Sequence, residues 1–330
     1  MKSMDRRRFI TAATATAAAS TLELENLAKA AQPEQGGTVV FLATWSFGRP
    51  AVDHAAQVFH SGGSLLDAVE KGINVPENDP KVESVGYGGL PNAEGEVELD
   101  AAIMDGTRHR VGAALNLHRI KNPISVARLV IEKTTHSTLA GEGAYRFARE
   151  MGFTPMNLLT AESRAKWLKW KNDPHHKTFW IDQQHHDTIG LVAADSNGHV
   201  VSGCSTSGLE WKLPGRVADS GLVGSGVYAD DNAGAASATG NGDIMQNYCT
   251  SFYIVMLMSM GRSPQAACEE CLQHMVRTDA STKTRAEAAV IAINPQGEIG
   301  AASMNSSFTL DYAVWRNGAS SMHRAKVVYP

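Results

Sequence analysis

The feature that narrows the fold most is the grouping of short, apolar, β-rich runs into two clusters, each trailed by a pair of helix-patterned segments. TVVFLAT, from Thr38 to Thr44, opens the first cluster as a buried strand. Two helices are expected after it. The second starts at Ser64, where Asp67 completes an approximate capping box and Leu65, Ala68, Val69 and Ile73 recur on one face. Gly86, Gly88, Gly89 and Pro91 mark a tight turn; VELDAAIMDG and HRVGAALNL read as paired strands, and ISVARLVIEKT and the segment around AYRFAREMG as helices. The second cluster begins with TIGLVAAD and HVVSGCST, joined through Ser196-Asn197-Gly198, whose Asn-Gly signals a hairpin. A glycine-rich loop region (214–242) then leads to a long apolar helix from about Asp243 to Met260 and another from about Pro264, with closing strands in AEAAVIAIN, EIGAASMN and MHRAKVVY. Strands grouped in this way, with helices after each group, predict two packed sheets with helices outside them. No internal repeat divides the chain, and no boundary separates two independent cores.

Between the clusters, residues 158–184 are polar and basic, with Trp167, Trp170 and Trp180 interspersed. Basic residues interleaved with aromatics can build a nucleic-acid surface. A formal charge of -4 over 330 residues gives no electrostatic reason to expect nucleic acid or an anionic membrane, so the segment is read as an amphipathic helix passing into a solvated stretch. A small polar substrate suits the charge better. At the N-terminus, MKSMDRRRFI followed by TAATATAAASTL matches the order of a twin-arginine export signal, and Ala28-Lys29-Ala30 offers a small-x-small cleavage site. The expectation is a signal peptide over residues 1–30, an exported or periplasmic protein, and no membrane attachment of the mature form, since the alanine-rich stretch is too short and too weakly apolar to span a bilayer.

No metal or organic cofactor is expected. The histidine pairs His175-His176 and His185-His186 lack the helical i, i+4 spacing of zinc ligands, and Cys268-Glu-Glu-Cys271 has no second CxxC to complete a site. Cys204, Cys249, Cys268 and Cys271 are read as structural, and their number leaves disulfide pairing open. No GxSxG elbow is present. The remaining chemical oddity is HHDTIG at 185–190, where a strand starts on a threonine preceded by an aspartate. A hydroxyl needs a base before it can attack. If the Asp187–Thr188 bond is cut, the freed α-amine, with a reference pKa of about 7.7–8.0, can be that base for its own residue's hydroxyl.

HDTIG at 186–190, STSG at 205–208, GRVADS at 215–220 and ATGNGD at 238–243 occur in the order and at the separations of the glycosylasparaginases, which are N-terminal nucleophile hydrolases. TWSFG at 44–48, SVGYGG at 84–89 and KNPISVAR at 121–128 extend the resemblance over nearly the whole chain after the leader. The resemblance implies an α+β fold, a four-layer αββα sandwich, with residues 31–187 and 188–330 as two chains of one catalytic domain. It implies Thr188 as nucleophile and cleavage residue, Asp187 as an aid to cleavage, and Thr206 near the nucleophile and its amine. Arg216 and Asp219 would hold the substrate's α-carboxylate and α-ammonium, Thr239 and Gly240 the oxyanion, and Trp45 would border the nucleophile, with Ser84 as possible support. The implied substrate is a glycosyl-asparagine and the implied assembly a dimer of cleaved αβ protomers. Related chemistry on the same fold, L-asparaginase or isoaspartyl peptidase, and an uncleaved periplasmic binding protein are the rivals. Trp45 separates the first from plant-type asparaginases, which resemble this region but usually carry a glycine-rich stretch there. Ala218 and Gly221 stand where the family usually has glycine and proline; a positive φ at Ala218 would strain the loop that carries Arg216 and Asp219.

Overall fold

The computed structural model describes residues 39–176 and 187–330. The expected export signal, Trp180 and the His185-His186 pair lie outside the described residues. Strand β1 (Val40–Thr44) lies between β5 (Ile189–Ala194) and β11 (Asp311–Arg316), antiparallel to both. The same sheet runs on through β6 (Val200–Thr206), β2 (Glu98–Asp105), β3 (Arg110–His118) and β4 (Thr138–Ala140), and ends at its other edge with β12 (Ala319–Arg324). Strands from both sides of the 187–188 bond therefore alternate in one hydrogen-bonded sheet. A second sheet has the order β13 (Lys326–Tyr329), β10 (Ile299–Asn305), β9 (Ala288–Ile293), β8 (Gly234–Gly240), β7 (Val227–Asp230).

Successive side chains of a strand point to opposite faces, which lets one apolar run serve two cores. In β1, Phe41 and Ala43 pack with the helices α1 (Gly48–His60), α2 (Leu65–Asn78) and α3 (Pro123–Lys133), through residues such as Val52, Val69 and Ile124. Val40 and Leu42 instead join Val192, Ala289 and Ile291, so this second cluster draws on both sheets. On β9 the alternation continues: Val290 and Ala292 pack with α7 (Thr250–Ser259) and α8 (Pro264–Thr278). Runs that look uniformly apolar in sequence are thus buried on both faces.

Local signals hold where the chemistry is local. Ser64 caps α2 through the complete box with Asp67, and Ser263 with Pro264 at the first position starts α8. The hairpin between β5 and β6 forms, although its five-residue connection takes a positive φ only at Gly198, so it is not the two-residue turn that Asn-Gly favours. Four expectations need correction. The basic segment forms a helix, α5 (Ala161–Lys171, numbered after α4, Gly141–Glu150), but it buries only Ser163 and has no apolar face; Trp167 and Trp170 pack sideways, the latter stacked on Trp211 with centroids 5.6 Å apart. The glycine-rich region 214–242 contains β7 and β8, because small residues allow close packing between sheets. The long helix from Asp243 is broken: α6 (Gly242–Met245) ends in a 3-10 turn, and Cys249 takes a left-handed φ of 45° before α7 begins. MHRAKVVY is divided between two sheets, and β11 has no distinctive signal of its own.

All four cysteines are free thiols. Burial raises the thiol pKa of Cys204, Cys268 and Cys271, which fits inert packing groups.

Candidate active site

Thr188 is buried at the entry to β5, and the pairing of β1 with β5 brings Thr44 beside it. The Thr44 hydroxyl donates to the Thr188 carbonyl at 2.5 Å and accepts from the Gly190 N–H at 2.9 Å. One side chain therefore fixes the peptide on either side of Ile189. Gly190 is required by the other sheet, since a Cβ there would lie 2.4 Å from Ser237 Oγ. The same close approach delivers the end of β8: Thr188 N–H donates to Thr239 Oγ1 at 3.2 Å, and Trp45 Nε1–H donates to the same oxygen at 3.0 Å. A hydroxyl oxygen has two lone pairs. Both are used here by N–H donors, which leaves the Thr239 proton to be donated to another group. Trp45 holds this position from a left-handed backbone, φ 64°, with its ring edge-on to Phe308. Such a conformation costs a bulky residue about 1–3 kcal/mol and tends to mark functional sites.

On its other side, Thr188 Oγ1 lies 3.4 Å from Ser220 Oγ, which in turn lies 3.4 Å from Asp219 Oδ1. Thr188, Ser220 and Asp219 line a nearly closed cavity with Asp100, Thr206, Gly208, Arg216, Ala218 and Gly240. Its volume, about 10 Å³, is room for about one water molecule. Gly208 also lines a wider cleft of about 480 Å³ with Ser46, Phe47, Lys81, Glu83, Ser84, Asp187 and Glu210. The Asp187–Thr188 bond therefore passes between a tight polar cavity and an open cleft.

The electrostatics of the cavity are severe. Burial pushes the Asp219 carboxyl up to about 7, against the opposing pull of Arg216 and hydrogen bonds from Ser220. Arg216 is paired with Asp243 at 2.7 Å. Behind them, Lys212 is fully buried 3.8 Å from carboxylate oxygens of both Glu98 and Asp100. The heads of Lys212 and Arg216 converge over Gly208, whose missing Cβ would come 3.0 Å from Lys212 Nζ and 3.1 Å from Arg216 Nη1.

The substrate-loop departures prove compatible with this geometry. Ala218 has φ -125°, ordinary extended backbone, so the anticipated strain is absent. At position 221 a Cβ would meet Leu115 Cδ2 at 2.1 Å, which explains why glycine suits this chain. Gly240 takes φ 124°, and any side chain there would strike the Glu287 carbonyl at 2.1 Å.

The fold therefore gathers Thr188, Arg216, Asp219, Gly240 and Thr206 around one cavity, with Thr239 and Trp45 bonded beside it. Thr206 has no hydrogen bond to the nucleophile; its hydroxyl donates to the Ser84 carbonyl at 3.3 Å and accepts from Gly208 N–H at 2.9 Å, tying the STSG turn to the SVGYGG turn. Ser84 contributes its carbonyl to that tie and lines the wider cleft. Sequence reasoning missed Thr44, Ser220 and Asp243, although each lies inside or beside a motif already singled out. It also missed Asp100, which strand pairing locates, and Lys212, which a loop after β6 buries beside it. Among the described residues no group of three or more His, Cys, Asp or Glu is arranged to hold a metal ion, and no helix is long and apolar enough to cross a membrane.

A family model described as Asparaginase matches residues 43–322. An N(4)-(β-N-acetylglucosaminyl)-L-asparaginase of Elizabethkingia miricola is 42% identical over 310 residues, 92% of this chain and 91% of that one. The protein of the same name from Rattus norvegicus is 42% identical over 290 residues, 78% of this chain and 82% of its own. A putative N(4)-(β-N-acetylglucosaminyl)-L-asparaginase of Drosophila yakuba is 36% identical over 78% of this chain and 74% of its own. Matches of this extent run through both sheets and through every motif that meets at Thr188, and on that ground the chain belongs to the glycosylasparaginases of the asparaginase type 2 superfamily.

Proposed function

We propose that the chain hydrolyses the β-amide bond of N4-(β-N-acetylglucosaminyl)-L-asparagine, releasing aspartate and the glycosylamine, after cutting itself between Asp187 and Thr188. The observation that carries this function is the environment of one residue. Thr188 presents its hydroxyl to the cavity shared with Arg216 and Asp219, while its backbone nitrogen is already bonded to Thr239 Oγ1. In self-cleavage, Thr188 Oγ1 attacks the Asp187 carbonyl carbon, the C–N bond breaks, and the nitrogen leaves as the amine. Water then opens the resulting ester to give the Asp187 carboxylate and a free N-terminal threonine.

In turnover, the new α-amine takes the proton of its own hydroxyl as Oγ1 attacks the substrate amide. Thr239 has both lone pairs occupied, so its O–H is available to the oxyanion, together with the Gly240 N–H. The proton held on the amine passes to the departing nitrogen. Water then releases aspartate from the acyl-enzyme. Arg216 and Asp219 hold the α-carboxylate and α-ammonium. The open cleft beside Asp187 gives the sugar side of the amide an exit that the 10 Å³ cavity does not.

The same proposal includes a four-layer αββα arrangement, supported by clusters that alternate between helix-facing and sheet-facing residues along single strands. It includes twin-arginine export with loss of residues 1–30, a periplasmic location, and pairing of cleaved αβ protomers. Intact-mass measurement on purified protein tests the core of it. The expected result is a fragment beginning at Thr188, and a Thr188→Ala chain that remains whole and inactive. Rates on glycosylated asparagine, free asparagine and β-aspartyl dipeptides then separate this activity from that of an asparaginase or isoaspartyl peptidase. Failure to hydrolyse the glycosylated substrate eliminates the proposal; an uncut, substrate-binding chain is the binding-protein alternative.

A further inference from the structure

Three buried polar atoms of residues lining the cavity beside Thr188 make no hydrogen bond: Asp219 Oδ2, Asp100 Oδ2 and Arg216 Nε. Two are acceptors and one is a donor. Asp100 is 1% exposed and lies on β2 at a register shift between Leu99 and Ala101, opposite Thr206 of β6. The extra residue is on β3, where Asn116 takes φ 48° and turns its N–H onto Asp100. Its other oxygen, Oδ1, is used by the Asn116 N–H at 2.7 Å, and Lys212 Nζ stands at 3.8 Å, too far for a hydrogen bond to Oδ2.

The charges point the same way. Three carboxyls here are buried: Glu98 and Asp100 each lie 3.8 Å from Lys212, and Asp219 feels the pull of Arg216. Buried charges are expensive without partners at hydrogen-bonding distance. An ammonium carries three donors and a positive charge, which suit the two orphaned carboxylate oxygens. A carboxylate on the same ligand would satisfy Arg216 Nε. Asp219 alone leaves the orphaned oxygen of Asp100 unexplained.

We propose that Asp100 is a second carboxylate for the substrate's α-ammonium, acting with Asp219 as a specificity-determining residue that makes a free α-amine a requirement of the site. This rests on the proposed function, whose substrate supplies both an α-ammonium and an α-carboxylate. Burial raises the Asp100 carboxyl pKa, opposed by Lys212 and the Asn116 N–H, as expected of a carboxylate that gains from a cationic partner.

The test uses the mature, self-cleaved enzyme and two probes that differ in one group, L-aspartate and succinate, titrated into wild type and Asp100→Asn by calorimetry. The expected result is a loss of about tenfold or more in L-aspartate affinity with succinate changed less than about twofold; tenfold corresponds to about 1.4 kcal/mol. Equal losses for both probes would show a purely structural role and overturn the proposal, as would no loss for either. If Asp100→Asn fails to fold or to cleave itself, a crystal structure of the wild type with L-aspartate decides. A ligand nitrogen within hydrogen-bonding distance of Asp100 Oδ2 supports the assignment; a nitrogen held by Asp219 with Asp100 out of reach overturns it. A wild type that binds L-aspartate in this way yet leaves glycosylated asparagine intact defeats the proposed function alone, whereas one that binds no L-aspartate defeats both.

Discussion

Lowering the pH should weaken the enzyme's grip on a substrate's α-amine before it affects anything else about substrate recognition. The Asp219 carboxyl is pushed up to about 7 in the buried cavity from an ordinary 3.8. Such a shift corresponds to about 4 kcal/mol of preference for the neutral form. The sign follows directly: above about 7 the group is ionised and can accept from an ammonium, and below it a proton occupies the oxygen that the ammonium needs. Binding a cation favours the ionised form, so affinity for an α-amino substrate should fall about tenfold per pH unit below 7, reaching about 100-fold between about pH 8 and about pH 5. The assay compares kcat/KM for a β-aspartyl amide with that of its des-amino succinamide bearing the same leaving group. Protonation of the Thr188 α-amine slows both substrates alike and cancels in the ratio. The ratio should therefore trace the carboxyls that meet the amine, and Asp219→Asn should remove the part of its fall that is centred near 7. A wild-type ratio that stays constant from pH 8 to pH 5 would refute the reasoning, because it would mean that the buried carboxyl either is ionised throughout or does not meet the amine.

Two further outcomes are expected. Glu77 is fully buried and accepts from Ser205, Asn74, Asn122 and the Ile124 N–H, yet burial still pushes its carboxyl up to about 7 from 4.5. Its contribution to stability is present below 4.5 and is lost as pH rises through about 7, a change of about 3 kcal/mol; urea unfolding should show the gap between wild type and Glu77→Gln shrinking by that amount from about pH 4 to about pH 8, and a constant gap would exclude it. Gly242→Ala would place a Cβ 2.2 Å from Asp219 Oδ1 and 2.8 Å from Ala218 Cβ. Displacing that carboxylate should raise KM about tenfold or more while kcat changes less, and steady-state kinetics with KM within about twofold of wild type would show that the loop yields freely.

Much of the scaffold could be read where the governing interaction spans a few residues. The Ser64–Asp67 box, Pro264 at a helix start and the strand periodicity of β1, β2, β3, β5 and β6 are local, and they appear where expected. Cys249 breaks the predicted helix because Ser251 and Phe252 backbone N–H groups donate to Ser225 and Gly224, a demand from a distant loop that periodicity does not register. β11 becomes a strand because β1 and β12 offer it two partners.

The site divides in the same way. Thr188, Arg216, Asp219, Thr239 and Gly240 stand in short spaced motifs, so the chain itself specifies which groups could carry the chemistry. Their meeting is a property of sheet pairing and packing: Thr44 reaches Thr188 across 144 residues, and Trp45 reaches Thr239 across 194. Burial likewise exists only in the folded chain, and it turns Asp219 from an ordinary carboxyl into one poised near neutrality and leaves an oxygen of Asp100 without a partner. Residue type and order determine what can react; desolvation and long-range register decide where each group points, what charge it carries and which neighbour completes it.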